Sequence, residues 1–283
     1  MMDLSKQVVI VTGAAGGFGK SFTSAFLAAG AKVAALDVFE EGLIKLSNDH
    51  RGANEQNLKT WKINIANFDN CKMVVDDIVK HFGGLDVLIN NAALGMGVVR
   101  DDHMVVGVGI DELTPDIWNE MVAVNLTGPW NMTKSSIEYL RQSSGGRIIN
   151  VTTSFYGMLW VKNQPYGPSK SGFEAMSAGH AEEFFSEGIT VNVVVPGGPA
   201  DTPMISANFA HDRKDLVSPE AMTYPTLWLC SQEGEGITGN RYLAGLWNPE
   251  KSLEENRKIT EAPIAWPGLA QNPVWPGGKP NDK

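Results

Sequence analysis

Six short runs of aliphatic and β-branched residues recur along the chain, at Gln7–Thr12, Lys32–Asp37, Leu58–Asn64, Leu85–Asn90, Arg147–Thr152 and Thr190–Val195. They are nearly continuous in apolar residues rather than alternating, which suits strands covered on both faces. Longer helix-period stretches separate them. Phe22, Phe26 and Ala29 share one face after the first run, Ile117, Met121 and Val124 after the fourth, and Phe173, Met176 and Phe184 after the fifth. This pattern predicts an α/β fold: a single-domain, doubly wound parallel sheet of the Rossmann type with right-handed crossovers. Ligands of such sheets bind beyond the carboxyl ends of the strands, so the loops there are where chemistry is sought.

Composition narrows the partners. With 283 residues, 43% hydrophobic and 19% charged, the chain can bury one large core. Twenty-three basic against 32 acidic residues give a net charge of −9, which repels nucleic acid and anionic membrane surfaces, and no basic patch offsets it. Cys71 and Cys230 are too few for a disulfide framework, and neither they nor the five histidines have a zinc-site spacing, so no metal is expected. The polar start at Met1 to Gln7 precedes an apolar run, Val8 to Val11, too short for a signal-peptide core. No window approaches the roughly 20 apolar residues of a membrane helix. A cytoplasmic location is expected. Residues 1–245 read as one catalytic domain and 246–283 as a tail carrying Trp247, Trp266 and Trp275 among six prolines. The prolines predict an extended chain, anchored by Trp266 or Trp275 on the protein or on a neighbouring protomer.

The first strand-to-helix turn reads Thr12-Gly13-Ala14-Ala15-Gly16-Gly17-Phe18-Gly19. Its glycines let backbone N–H groups approach a phosphate at a helix N-terminus. Asp37 ends the second strand 18 residues past Gly19, where a carboxylate accepts hydrogen bonds from an adenosine ribose and repels a 2′-phosphate. NAD is the expected cofactor. Gly19-Lys20-Ser21 superficially ends a nucleotide-hydrolase loop, but position 14 is Ala14 where that loop needs glycine, so Lys20 is expected on a solvated helix face.

Tyr166 and Lys170 stand four apart, on one face of a helix whose first turn holds Pro168. With the glycine turn, Asn90-Asn91-Ala92-Ala93, Asn125 in Val-Asn-Leu, the hydroxyl cluster at 152–154 and Pro196-Gly197 with Thr202, this pair resembles the short-chain dehydrogenase/reductase family over roughly residues 5–245. The resemblance implies hydride transfer between a nicotinamide cofactor and a small secondary alcohol or ketone. By it Tyr166 is the general acid/base, Lys170 lowers the tyrosine's pKa and holds the nicotinamide ribose, and Asn125 supports Lys170 through water. Ser154 hydrogen-bonds the substrate oxygen; Thr153 is the alternative, since Asn150 to Gly157 is one residue longer than the family's usual spacing. Gly13, Gly17, Phe18, Gly19, Asp37, Asn64, Ile65, Asn91, Ala92, Tyr166, Lys170, Pro196, Gly197 and Thr202 are the implied cofactor contacts. A homodimer or homotetramer is implied as well. The rival reading is a non-catalytic dinucleotide-binding or sensory protein of the same fold. The segment Leu94 to Asp111, with Arg100, Asp101, Asp102 and His103, is longer than the family's usual connection and is expected to shape the substrate pocket.

Overall fold

The computed structural model describes residues 2–52, 55–206, 209 and 212–269. Each apolar run forms a strand: β1 Val8–Thr12, β2 Lys32–Asp37, β3 Leu58–Lys62, β4 Val87–Asn90, β5 Arg147–Val151 and β6 Thr190–Val195. Two further strands, β7 Asn240–Leu243 and β8 Glu261–Pro263, complete one sheet in the order β3-β2-β1-β4-β5-β6-β7-β8. The first seven run parallel, and β8 closes the edge antiparallel to β7. Along the chain, growth away from β1 reverses between β3 and β4, so β1 and β4 flank the topological switch point, and the crevice at their carboxyl ends is the place for a ligand.

The helices are α1 Gly17–Ala28, α2 Glu40–Asp49, α3 Phe68–Phe82, α4 Pro115–Val122, α5 Gly128–Gln142, α6 Phe155–Leu159, α7 Tyr166–Glu183, α8 Thr223–Cys230 and α9 Leu253–Thr260. On one face of the sheet Phe22, Phe26, Leu43, Trp228 and Leu229 pack on Val9, Val11, Val33 and Ile149. On the other, Val75, Ile78, Met132, Leu140 and Phe184 pack on Ile10, Leu36, Leu88 and Ile148. Strands covered on both sides explain why the runs are apolar without alternation. At the sheet's centre Asn90 and Asn150 are register partners, and Asn90 Nδ2 donates to Asn150 Oδ1 at 3.0 Å.

The segment after Gly245 departs from the extended chain its prolines suggest. Ser252 and Glu255 form a reciprocal capping box that starts α9. The chain then returns as β8, with Pro263 on the sheet's outer edge, where a missing N–H is tolerated. Trp247 packs on Trp228 at 5.6 Å between ring centres, and Trp266 meets Phe155 edge-on at 6.1 Å. Trp275 lies outside the described residues. Among the described residues no helix is long and apolar enough to cross a membrane.

Candidate active site

The glycine turn lies at the switch point. The backbone of β1 turns sharply back after Thr12, and Gly13 adopts φ +65°, where a Cβ would fall 2.8 Å from the Ala92 backbone. A Cβ on Gly19 would sit 1.9 Å from the Gly13 carbonyl oxygen, so α1 can enter this close to the strand only with glycine there. Gly16 stands at the N-cap of α1 without a side-chain cap, and no acidic residue occupies the first turn. The N-terminus of a 12-residue helix thus presents its N–H groups to the crevice, the arrangement a pyrophosphate fits. Phe18 is half-buried against the core, and Gly17 faces Thr202, whose side chain lies 3.4 Å from where a Cβ would stand.

Asp37 closes the turn from the β2 side, its carboxylate accepting from Ala15 N at 2.9 Å and Phe39 N at 3.0 Å. Thr12 pins the β4 exit: its hydroxyl donates to Ile89 O and accepts from the N–H groups of Asn91 and Ala92 at 2.9 and 3.1 Å, while Asn91 Nδ2 donates to Thr12 O. After β3, Asn64 is exposed and accepts from Ala66 N, and Ile65 is buried with its carbonyl taken by Asn131. Pro196 and Gly197 leave β6 on the same edge, Gly197 at φ +87°. The glycine turn, Asp37, Asn64, Ile65, Asn91, Ala92, Pro196 and Gly197 thus stand at or after the carboxyl ends of β1, β2, β3, β4 and β6. Lys20 is on the outer face of α1, paired with Asp49 at 3.2 Å.

Tyr166 opens α7, and Lys170 follows one turn later, 2% exposed, with Nζ donating to Val151 O at 2.8 Å. Burial pushes the Lys170 ammonium down to about 7 against the opposing attraction of Glu174. Burial also raises the Tyr166 phenol, against a hydrogen bond with the Thr153 side chain that lowers it. Thr153 thus bears on the phenol of Tyr166. Ser154, the first choice from the count back from Gly157, instead caps α6, accepting from Gly157 N at 3.0 Å. Asn125 sits in a single π-helical turn, Ala123–Thr127, between α4 and α5. Its amide brackets Leu94, accepting from Leu94 N at 2.7 Å and donating to Leu94 O at 2.9 Å, and also donates to Ser169 Oγ, which bonds Tyr166 O. Asn125 thereby ties the start of α7 to the β4 exit; no composition signal marks Ser169 as its intermediary.

The long connection after β4 forms a wall beside Tyr166. Met96, Val108 and Met121, with Leu94, Val99 and Leu113, make a small apolar cluster against which Tyr166 packs. Its charged residues hold the loop's own shape: Arg100 pairs with Asp102 at 2.8 Å and with Glu112, and His103 Nδ1 lies 3.1 Å from Arg100 O. Val108 N donates to Lys162 O, joining the loop to the approach to α7.

An uncapped helix N-terminus, a carboxylate at the end of the second strand and a half-buried Tyr166 with a buried Lys170 one turn on define an α/β protein shaped for a dinucleotide beside an acid–base pair. The family model for short chain dehydrogenases matches residues 7–213, and the chain belongs to that family. As a member it is an oxidoreductase working with a nicotinamide dinucleotide. It is 32% identical over 249 residues to the 3-oxoacyl-(acyl-carrier-protein) reductase of Thermotoga maritima, covering 84% of this chain and 96% of that protein. It is 29% identical over 251 residues to the acetoacetyl-CoA reductase of Paracoccus denitrificans, with 84% and 96% covered. A Mycobacterium paratuberculosis short chain dehydrogenase bound to NAD superposes with a TM-score of 0.71 at 25% identity, covering 82% of this chain and 93% of that one. Actinorhodin polyketide ketoreductase with NADPH gives 0.71 at 25%, with 84% and 95% covered.

Proposed function

We propose that the chain is an NAD-dependent oxidoreductase that interconverts a small secondary alcohol and its ketone. The observation that carries this reading is Tyr166 at the start of α7, half-buried against the β4 connection, with Lys170 buried one helical turn on and Thr153 bearing on the phenol. When bound, the nicotinamide supplies or accepts the hydride. Tyr166 gives the proton to the ketone oxygen, or takes it from the alcohol. Thr153 donates a hydrogen bond to that oxygen. Burial alone drives phenol and amine toward neutrality, but a phenolate on Tyr166 and an ammonium on Lys170 stabilise each other one helical turn apart. Asn125 keeps the start of α7 in place. A protein that only bound a dinucleotide has no use for a buried lysine one helical turn from a tyrosine, which favours catalysis over the sensory reading.

On the cofactor side, the amides of Gly13, Gly17, Phe18 and Gly19 would hold the pyrophosphate, Asn64 and Ile65 the adenine end, and Asn91, Ala92, Pro196, Gly197 and Thr202 the nicotinamide end. Solved relatives carry NAD or NADPH, so the choice rests on this chain's own residues. Asp37, at the end of β2, would accept from the adenosine ribose hydroxyls, and its charge would disfavour a 2′-phosphate. That two similar proteins are named as reductases of 3-oxoacyl and acetoacetyl groups supports a carbonyl substrate. The enzyme is read as a cytoplasmic homodimer or homotetramer.

Titrating NAD and NADP calorimetrically, alongside a panel of secondary alcohols and ketones followed by absorbance of the reduced nicotinamide, tests this reading. Tighter binding of NAD is expected, with the preference narrowing in Asp37→Ser. Equal or tighter binding of NADP contradicts the role of Asp37, and no turnover with any member of the panel contradicts the activity.

A further inference from the structure

Outside the expected site, the structure buries an ion pair. Glu174 on α7 is fully buried and receives three hydrogen bonds: Arg241 Nε donates to Oε1 at 2.9 Å, Ala265 N to the same oxygen at 3.1 Å, and Thr152 Oγ1 to Oε2 at 2.5 Å. Arg241, on β7, is 4% exposed; its Nη2 donates to Thr153 O at 3.0 Å, and its guanidinium lies 4.0 Å from the Phe155 ring centre. Phe155 in turn meets Trp266. Four residues of the stretch from Val151 to Phe155 are thus held from outside it: Val151 by Lys170, Thr152 by Glu174, Thr153 and Phe155 by Arg241.

Two things argue that this grip serves the chemistry and not the core alone. A buried ion pair is a poor source of stability compared with an apolar core, so its specific geometry is the more informative feature. Ala265 holds φ +59°, a left-handed conformation unfavourable for alanine, and it is there that its N–H reaches Glu174.

Resting on the dehydrogenase reading above, we propose that Glu174 and Arg241 are positioning residues that aim the Thr153 hydroxyl at Tyr166, and that the segment after β8 completes the site through Ala265 and Trp266. The guanidinium fork does this because it binds carboxylate and carbonyl at once; an ammonium cannot reproduce it.

Arg241→Lys, Arg241→Met and Trp266→Ala in the full chain test the proposal, with kcat, KM for both substrates, urea midpoints and amide hydrogen exchange measured for each. Arg241→Lys keeps a charge against Glu174, so it is expected to fold with a midpoint near wild type. Its kcat is expected to fall by on the order of 10²-fold, as misplaced reacting groups do, with KM for the cofactor unchanged. Exchange at residues 152–155 should quicken while that of β1 and β4 stays slow. Trp266→Ala should do the same more weakly. Wild-type kcat and unchanged exchange at 152–155 in Arg241→Lys overturn the proposal, as does an Arg241→Met that loses stability alone. Exchange is read without turnover, so failure here is distinguishable from a wild-type protein that oxidises and reduces nothing.

Discussion

Thr153 and Ser154 are adjacent hydroxyls with different work. One extra residue between Asn150 and Gly157 lets two counts disagree, and the two hydroxyls differ in surroundings: Ser154, at φ −63° and ψ 150°, becomes the N-cap of a short helix, while Thr153 bears on the Tyr166 phenol. Sequence spacing alone cannot separate them, since both are hydroxyls able to donate and only the start of α6 assigns one to the cap. Thr153→Ala should therefore lower kcat by about 10²–10³-fold, the usual loss when one donor to a reacting oxygen is removed, with little change in stability. Ser154→Ala should instead cost about 1 kcal/mol of stability, as a lost cap does, with a much smaller effect on kcat. Steady-state kinetics and urea unfolding of the two variants check this, and the reverse order of effects would return the catalytic hydroxyl to Ser154. By contrast Tyr166, Lys170 and the glycine turn were legible because their spacing is enforced by one helical turn and one tight loop, neither of which tolerates an insertion.

The elements differ in how plainly the sequence announces them. Strands β1, β2, β4, β5 and β6 are buried and read directly as apolar runs, within two residues at each end, whereas β3 at the sheet's edge is half-exposed and carries Lys59 and Lys62. β7 is harder because Arg241 interrupts its four residues, a charge admitted to the interior only by Glu174 from another element. β8 spans three residues and ends in proline, so it carries almost no local signal and exists through its pairing with β7. α9 did have a local signature in Ser252 and Glu255, masked by the prolines around it. The connection after β4 was legible as an excess of length; what it does became visible only when Met96 and Val108 were found against Tyr166. Replacing residues 99–107 by a short glycine-containing turn should raise KM for the alcohol or ketone several-fold while leaving the Kd of the dinucleotide nearly unchanged, because this wall faces Tyr166 and not the glycine turn. Initial rates with each substrate varied in turn check this, and an equal effect on both would make the connection a general support of the fold.

At the scale of the whole molecule, the buried ionisable groups set how stability depends on pH. Lys170 titrates near 7 when folded and at its ordinary 10.5 when unfolded, so across that window the unfolded chain binds more protons and folding becomes more favourable as pH rises. Cys71 and Cys230 oppose this above 9.0, since burial pushes each thiol up to about 12 and the folded state keeps protons the unfolded one releases. Stability of the cofactor-free protein should accordingly climb above pH 7 and decline above pH 9. Lys170→Met should lose the climb and keep the decline, as urea unfolding at stepped pH would show; a climb that survives the substitution would assign it to another group. Lys170 with Tyr166 is also the centre of the functional reading, and Tyr166→Phe tests it most directly. With NAD and the best alcohol of the panel, the variant is expected to bind the cofactor with nearly wild-type Kd by calorimetry and to lose at least about 10²-fold in kcat, the contribution of a positioned proton donor. A Tyr166→Phe enzyme that keeps most of its kcat would contradict the account.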